Sequence, residues 1–144
     1  MEQSREGIYF CSGAQHALYE KNVIEDCSYG LTFGHSDSDN LIRDNDIRRS
    51  GLAGIYFRGG NKAFAPHRNR IERNRIVDSG GDKGIAIDIN GETESVAIIK
   101  NELREKRVPA SRIGISIAAE TRDIRYQDNQ IKGFSVPISD LRKP

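Results

Sequence analysis

Gly30-Leu31-Thr32-Phe33, followed by Asn45-Asp46-Ile47, is the pattern that decides the fold of this chain. Asn45 stands 15 residues after Gly30, and the same pairing occurs five times along the 144 residues. The glycine-led stretches start at positions 7, 30, 54, 84 and 114, and the Asn-x-Ile or Asn-x-Leu stretches start at positions 22, 45, 74, 101 and 129. Successive glycine-led stretches are therefore 23, 24, 30 and 30 residues apart. Repeats of this length are typical of a solenoid, in which each repeat forms one turn of a coil.

Each repeat contains three short apolar segments separated by polar turns. In the second repeat Leu31 and Phe33 alternate with other residues, and two further segments contain Ile42 and Ile47. The period of two indicates strands, and no window keeps the three-and-four spacing of a helix. We therefore predict an all-β fold, a right-handed single-stranded parallel β-helix (solenoid) of about five to six coils, stacked about 4.8 Å apart. The handedness follows from the preference of parallel crossover connections.

Three columns of apolar side chains are predicted to point inward and to form one core. The first strands supply Ile8, Phe10, Leu31, Phe33, Ile55, Phe57, Ile85, Ile87, Ile115 and Ile117. The segments after the asparagines supply Ile24, Ile47, Ile76, Leu103 and Ile131. The segments before the asparagines supply Tyr19, Ile42, Ile71, Ile98 and Tyr126. Val136 and Ile138 are interpreted as a sixth, incomplete first strand.

The repeated asparagines are predicted to form an Asn ladder. A carboxamide has two donors and an acceptor, so identical side chains stacked at strand spacing can bond coil to coil. Asparagine also tolerates the left-handed backbone of a tight turn. We therefore interpret the five asparagines as scaffold residues.

Composition limits the classes of function. Residues 1–144 are interpreted as a single β-helix domain, with tails at 1–6 and 139–144. The 22 Lys and Arg against 21 Asp and Glu argue against a nucleic-acid-binding protein. No apolar run is long enough for a membrane span. The two cysteines stand at places far apart along the coil, which favours free thiols over a disulfide.

The amino terminus leaves the location of the protein open. It lacks the basic start and apolar stretch of a signal peptide. Gly7 opens a repeat without a preceding cap, so we interpret the chain as a piece of a longer protein.

The repeats resemble the right-handed parallel β-helix group that includes pectate lyases, polygalacturonases and alginate-active epimerases and lyases. The shared form is G-I-x-apolar followed by I-x-x-N-x-I, and it extends from Gly7 to about Leu141. The resemblance implies a polysaccharide lying across the outward face of the first sheet, and an extracellular location if the chain is part of a longer protein. The stacked acidic calcium site of pectate lyases, the Asp-Pro-His-Asp signature and the amino-terminal cap are missing.

Candidate site residues lie where the repeat is interrupted. The extra length is expected to leave the coil as loops at 59–68, 90–95 and 104–112, the first two on the same side. Arg58 and Asp88 are predicted to be neighbours in consecutive coils, close enough for an ion pair. As catalytic residues, Arg58 would neutralise a sugar carboxylate or act as a base, and Asp88 would orient Arg58. Tyr56 would stack on a sugar ring or donate a proton. The alternative is an exposed cross-strand pair of structural origin.

Basic and histidine side chains near these positions are candidate substrate-binding residues: His35, Lys62, His67 and Arg68. From Arg58 to Arg75 there are six Lys or Arg and one Glu, which suits an anionic polymer. A solvated face and ordinary turn histidines are the alternatives.

No metal site or cofactor is predicted. Asp37 and Asp39 offer oxygen ligands of the kind that calcium takes. They lack an EF-hand frame and the glycine-rich nonapeptide repeat, so a plain turn is the favoured interpretation, with calcium as the weaker one.

Three functional hypotheses remain open. The first is a carbohydrate-related β-helix of lyase or epimerase type rather than a hydrolase, acting on an acidic polysaccharide. The second is a non-catalytic polysaccharide-binding module. The third is a structural module that self-associates through its coil ends, because uncapped coils present unpaired strand edges.

Overall fold

The computed structural model describes residues 4–9, 13–80, 84–107 and 112–143, and of 4–6 and 9 it describes only the backbone. All regular structure in these residues is β-strand, in parallel sheets that form a β-solenoid, so the predicted fold class is confirmed. The same residues contain no helix with the length and apolar character of a membrane span. The handedness of the coil stays a prediction.

The described strands form three parallel sheets, one of six strands and two of five. The first sheet contains β1 (Ser4–Tyr9), β4 (Cys27–Phe33), β7 (Ala53–Phe57), β10 (Ile85–Ile89), β13 (Ile113–Ile117) and β16 (Val136–Asp140). The second contains β2 (Leu18–Glu20), β5 (Leu41–Arg43), β8 (Arg70–Glu72), β11 (Glu94–Ile99) and β14 (Arg122–Gln127). The third contains β3 (Val23–Glu25), β6 (Asp46–Arg48), β9 (Arg75–Val77), β12 (Glu102–Arg104) and β15 (Gln130–Lys132). Both predicted tails are partly strand, since β1 begins at Ser4 and β16 ends at Asp140.

Two of the predicted core columns are confirmed in full by the strand register. The column through Ile42 pairs from Tyr19 to Tyr126 across the second sheet. The column through Ile47 pairs from Ile24 to Ile131 across the third sheet. The central members of both columns are fully buried. Stacking coils therefore buries apolar surface that a single coil would leave in water.

The first-sheet column is confirmed except in the fourth coil, where the predicted register is wrong by two residues. Ile55 pairs with Ile87, not with Ile85, and Phe57 pairs with Ile89. Ile85 is only half-buried, whereas Ile87 and Ile89 are inaccessible. The cause is that Ala86, not Gly84, occupies the place that Gly54 occupies in the coil before. The sixth first strand is confirmed, because Ile138 pairs with Ile115. Phe10 lies outside the described residues.

The Asn ladder is confirmed by continuous hydrogen bonds. The Oδ1 of Asn45 accepts bonds from the Nδ2 (3.0 Å) and the main-chain N–H (3.1 Å) of Asn22. The same pair of bonds repeats at each step to Asn74, Asn101 and Asn129. The Nδ2 of Asn74 also donates to the carbonyl of Ile42, so both donors of this buried amide are satisfied.

A second polar ladder, which was not predicted, stands at the entry to the second sheet. The Oδ1 of Asn40 accepts the main-chain N–H of Ala17, and the Oδ1 of Asn69 accepts that of Asn40, each at 3.0 Å. Both asparagines are buried. Its signal in the sequence is weak because it has only two asparagines.

The left-handed backbone lies one residue before each ladder asparagine, not at the asparagine itself as predicted. These residues have φ between 51° and 58°: Lys21, Asp44, Arg73, Lys100 and Asp128. Single left-handed residues turn the chain from the second sheet into the third, at a cost of about 1–2 kcal/mol each for a residue with a Cβ. The N–H groups of the first four bond to carbonyls of the next coil, for example Lys21 to Asp44 at 3.1 Å.

Cys27 is buried in β4, with its Sγ 3.4 Å from the carbonyl oxygen of Glu25. Cys11 lies outside the described residues, so the predicted state of the two cysteines stays a prediction.

Removal of one ladder side chain is expected to destabilise the middle of the coil more than its end. Asn74→Ala leaves buried donors of Asn45 without an acceptor, and we expect a loss of about 3 kcal/mol in the free energy of unfolding. Asn22→Ala makes the same chemical change at the half-buried end of the ladder, where we expect a loss of about 1 kcal/mol. Urea unfolding of both variants and the wild type checks this, and equal losses would contradict the ladder as the source.

Candidate functional site

An open cleft of about 500 Å³ lies beside the outward face of the first sheet, where the chain leaves β7. It is lined by His35, Arg58, Gly59, Gly60, Asn61 and Phe64. His35 comes from the turn after β4, and the other residues come from the loop at 58–69 that joins β7 to β8. The cleft therefore forms where the third coil departs from the repeat.

Arg58 is exposed in this cleft, and its position depends on a glycine in the preceding coil. A Cβ on Gly34 would lie 2.8 Å from the Cδ of Arg58, so the aliphatic part of Arg58 lies across Gly34. The main-chain N–H of Arg58 donates to the carbonyl of Phe33 at 2.9 Å. The strand end and the glycine together place a guanidinium at the mouth of the cleft.

Tyr56 and Asp88 are direct neighbours on the outward face of the first sheet. Burial raises the pKa of Tyr56, Tyr29 and Asp88 raise it further, and the charge of Arg58 opposes the rise. Burial also raises the pKa of Asp88, opposed by a hydrogen bond with the side chain of Asn90. The predicted catalytic residues Arg58, Asp88 and Tyr56 thus come together around the phenol.

The predicted Arg58–Asp88 ion pair is wrong. The corrected register places Asp88 beside Tyr56 and places Asn90 in the row of Arg58. No ion pair among the described residues joins Arg58 to Asp88. The two-residue shift in the fourth coil accounts for the difference.

Three predicted substrate-binding residues lie outside the lining of this cleft and have partners from adjacent coils. The Nζ of Lys62 lies 3.3 Å from Glu94. The Nδ1 of His67 accepts the main-chain N–H of Glu94 at 3.0 Å, and its Nε2 lies 2.7 Å from the carbonyl oxygen of Lys62. Arg68 forms two hydrogen bonds with Asp39, at 2.7 and 3.0 Å. Of the four predicted binding residues, His35 is the one that lines the cleft.

The basic segment from Arg58 to Arg75 carries less net charge in three dimensions than along the chain. Five of its cations have carboxylates within 4 Å, several of them from neighbouring coils: Lys62, Arg68, Arg70, Arg73 and Arg75. Such exposed pairs contribute little to stability, but they cancel the local field. Much of the positive charge of this segment is therefore balanced locally.

Asp37 and Asp39 are turn residues, as the favoured interpretation had it. The carboxylate of Asp37 is buried and accepts the N–H groups of Ala14 and Gly34, both at 2.9 Å. Burial raises the pKa of Asp37, and these backbone bonds oppose the rise. The carboxylate of Asp39 faces Arg68, and that hydrogen bond lowers the pKa of Asp39. Both carboxylates are thus engaged within the protein.

Two aromatic side chains of this face, Phe64 and Tyr29, were not among the predicted site residues. The side chain of Phe64 is 60% exposed at the cleft, although it is large and apolar. The rings of Tyr29 and Tyr56 stack with their centroids 4.6 Å apart. The sequence did hold a signal for Phe64, because a large aromatic residue stands within the expanded loop. The sequence held no signal for the Tyr29–Tyr56 contact, because the two residues are not paired in register.

Residues 1–142 match the family model described as periplasmic copper-binding protein (NosD). The chain belongs to the NosD family. This is a family of parallel β-helix proteins, which agrees with the three-sheet coil. No curated protein and no solved structure matches the chain. The narrower resemblance to pectate lyases and polygalacturonases stays a prediction.

The described donors of this NosD-family chain do not fit a copper site. Copper takes imidazole and sulfur ligands most readily. In the part of the chain that the structure describes, no three His, Cys, Asp or Glu side chains come together as a metal site. Both ring nitrogens of His67 are engaged by main-chain groups, and Cys27 is buried in a strand.

The raised pKa of Asp88 predicts a specific pH dependence of stability. The folded state holds this proton more tightly than the unfolded state does, so the contribution of Asp88 to stability falls as the pH rises from about 3.9 through the folded value. Asparagine resembles the protonated acid. We therefore expect Asp88→Asn to gain stability relative to the wild type at pH 7, and the gain to shrink towards pH 4.

Urea unfolding at pH 4, 5.5 and 7 measures this difference. Asp123→Asn removes an exposed carboxylate of β14 and controls for the change in net charge. A difference for Asp88→Asn that is the same at all three pH values would contradict the buried-carboxyl argument.

Proposed function

We propose that this NosD-family chain is a non-catalytic module that binds a carboxylate-bearing polysaccharide along the outward face of its first sheet. The observation that carries the proposal is the exposed guanidinium of Arg58 in a cleft with His35 and the exposed ring of Phe64. The description of the family supports a periplasmic setting. Its copper-binding description is not carried over, because the described donors do not suit copper.

The chemistry of the cleft suits one acidic sugar unit. A guanidinium presents parallel donors that match the two oxygens of a carboxylate. An aromatic ring offers an apolar face, and sugar rings have apolar C–H faces that can lie against it. Asn61 lines the same cleft and adds an amide donor and acceptor for hydroxyl groups. A neutral sugar offers no carboxylate for these donors.

Beyond the cleft, polar side chains continue along the first sheet. Register places Thr32, Tyr56, Asp88, Ser116 and Ser139 in one outward row. Consecutive members are spaced by one strand separation, about 4.8 Å. Tyr56, Asp88, Ser116 and Ser139 are half-buried, which leaves part of each accessible to a ligand. This row supports an extended chain of sugars running along the solenoid axis.

The arrangement favours binding over lyase or epimerase chemistry. A phenol with a raised pKa stays protonated at neutral pH, so Tyr56 serves as a hydrogen-bond donor rather than as a base. Asp88 does not orient Arg58, because its neighbour in register is Tyr56.

Self-association through the coil ends is the weaker alternative. The first sheet has one strand more than each of the other two among the described residues, so the two ends of the coil are not flat and complementary. The guanidinium of Arg142 also donates to the carbonyl of Ile124 in β14, at 3.0 Å, and so covers part of that edge.

Loss of the Arg58 charge is expected to weaken binding about tenfold or more. A hydrogen bond to a charged group contributes roughly 1.5–3 kcal/mol, and 1.4 kcal/mol is a factor of ten. Isothermal titration with oligomers of guluronate, mannuronate or galacturonate should show this loss for Arg58→Gln and a smaller one for Phe64→Ala. Arg58→Lys should recover only part of the affinity, because an ammonium cannot form the paired bonds.

Arg125→Gln is the matched control, because it removes an exposed arginine from β14 on the second sheet. It should bind like the wild type, and uncharged oligosaccharides should bind weakly to every variant. If Arg58→Gln and Arg125→Gln lose affinity equally, binding depends on the overall positive charge and not on the cleft. Appearance of unsaturated product, read by absorbance, would overturn the non-catalytic assignment. The absence of binding to all acidic oligomers would refute the proposal.

A further inference from the structure

The loop at 58–69 is attached to the coils on both sides of it. Towards the second coil, Ser36 donates its N–H to the carbonyl of Phe64 at 2.7 Å. Towards the fourth coil, Glu92 donates its N–H to the carbonyl of Gly60 at 2.9 Å. The loop supplies most of the cleft lining, so the shape of the cleft depends on these attachments.

His67 is the side chain that ties the loop to the fourth coil and to itself. Its Nδ1 accepts the main-chain N–H of Glu94, with 3.0 Å between the nitrogens. Its Nε2 lies 2.7 Å from the carbonyl oxygen of Lys62. The backbone of His67 is also held, because its N–H donates to the Oγ of Ser38 at 2.9 Å. The ring is half-buried.

These two partners determine the protonation state of the ring. A carbonyl oxygen can only accept, so Nε2 must carry a hydrogen. A main-chain N–H can only donate, so Nδ1 must present its lone pair. The arrangement therefore requires the neutral Nε2–H tautomer. The imidazolium form would carry a hydrogen on Nδ1 facing the N–H of Glu94, and that bond would be lost.

We propose that His67 is a positioning residue whose neutral ring holds the 58–69 loop in its binding shape and whose protonation releases that loop. Affinity of the cleft for its ligand then falls as the pH falls through the range in which imidazoles titrate, about pH 8 to 5. The ligand readout rests on the proposed function, whereas the state of the loop can be measured without any ligand.

The elements packed around His67 carry charged residues of both signs. Lys62 and Arg68 belong to its own loop. Glu92 and Glu94 belong to the fourth coil, and Asp39 belongs to the turn of the second coil, where His67 lowers the pKa of that carboxyl. The hydrogen bond from Glu94 is the contact that discriminates between the two forms directly.

The first experiment measures the loop without ligand. Nitrogen-15 NMR of the ring should show the Nε2–H tautomer at pH 8 and the imidazolium at pH 5. Amide hydrogen exchange at Glu94, corrected for the intrinsic effect of pH, should become about tenfold faster at pH 5. Unchanged protection of Glu94, or the Nδ1–H tautomer at pH 8, would overturn the proposal.

Variants separate titration from simple packing. His67→Gln can accept from Glu94 and donate to Lys62 without titrating, so its loop should stay protected from pH 8 to pH 5. His67→Ala should lose protection at both pH values. His16→Gln removes a histidine at a corner outside the cleft and should keep the wild-type pH profile. A pH profile in His67→Gln that equals that of the wild type would also overturn the proposal, and this test does not depend on the folding of His67→Ala.

The binding experiment uses the guluronate oligomer at pH 8 and pH 5. The wild type is compared with His67→Gln at each pH, so that pH effects common to both proteins cancel. The Kd of the wild type divided by that of His67→Gln should rise from about one at pH 8 to about ten at pH 5. A ratio that changes by less than twofold between the two pH values would refute the proposed effect of His67 protonation on binding. If neither the wild type nor any variant binds the oligomer, the proposed function fails. The exchange data then decide by themselves whether neutral His67 holds the 58–69 loop.

Discussion

Hydrogen bonding from coil to coil at strand spacing is the constraint on which the rest of the molecule depends. The second- and third-sheet strands are mostly three residues long, too short to specify their own register through many backbone bonds. From Asn45 onward, the Oδ1 of each ladder asparagine accepts hydrogen bonds from the N–H and the Nδ2 of the asparagine one coil earlier. This pairing occurs in one register, because a shift by one residue would turn the apolar column outward.

Corners at the ladder make these short strands possible, and they also organise the surface. Each ladder asparagine follows a residue in the left-handed conformation, whose φ cost is balanced by coil-to-coil hydrogen bonds. The corner residues stack in columns, so charges from successive coils become neighbours. Arg73 faces Asp44 at 3.2 Å at the ladder corner, and Arg49 faces Asp26 at 2.8 Å at the corner between the third and first sheets. The near balance of charge in the composition thus corresponds to local pairing rather than to separate charged patches.

The cleft exists because the repeat is interrupted. Glycine at position 34 leaves room for the stem of Arg58, and the long third coil folds its extra residues into a loop that two neighbouring coils hold. A rigid stack with one interrupted edge is a common way to place a binding site, because the scaffold positions what the loop presents. Membership in the NosD family agrees with the scaffold, while the chemistry of the cleft differs from the copper chemistry in the family's description.

The fold and two core columns could be predicted because asparagines and isoleucines recur at a spacing that only a stacked coil satisfies. The site was predicted only in part. Arg58 and His35 line the cleft, and Tyr56 and Asp88 are neighbours on the first sheet. Asp88 was assigned to the wrong neighbour, because Gly84 resembles the repeat glycine whose place Ala86 takes. Lys62 and Arg68 were taken as ligand contacts, although carboxylates close to them in space are far from them along the chain.

The sequence by itself therefore determined the coil, its ladder and the positions of its interruptions, because these follow from local alternation and a fixed period. Only the tertiary structure decided which side chains are neighbours across coils. These are the phenol beside Asp88, the imidazole of His67 between its own loop and β11, and Phe64 in the lining of the cleft. The physical reason is that coil-to-coil contacts join residues 23 to 33 positions apart. Loops of unequal length shift that offset, and no local pattern records it.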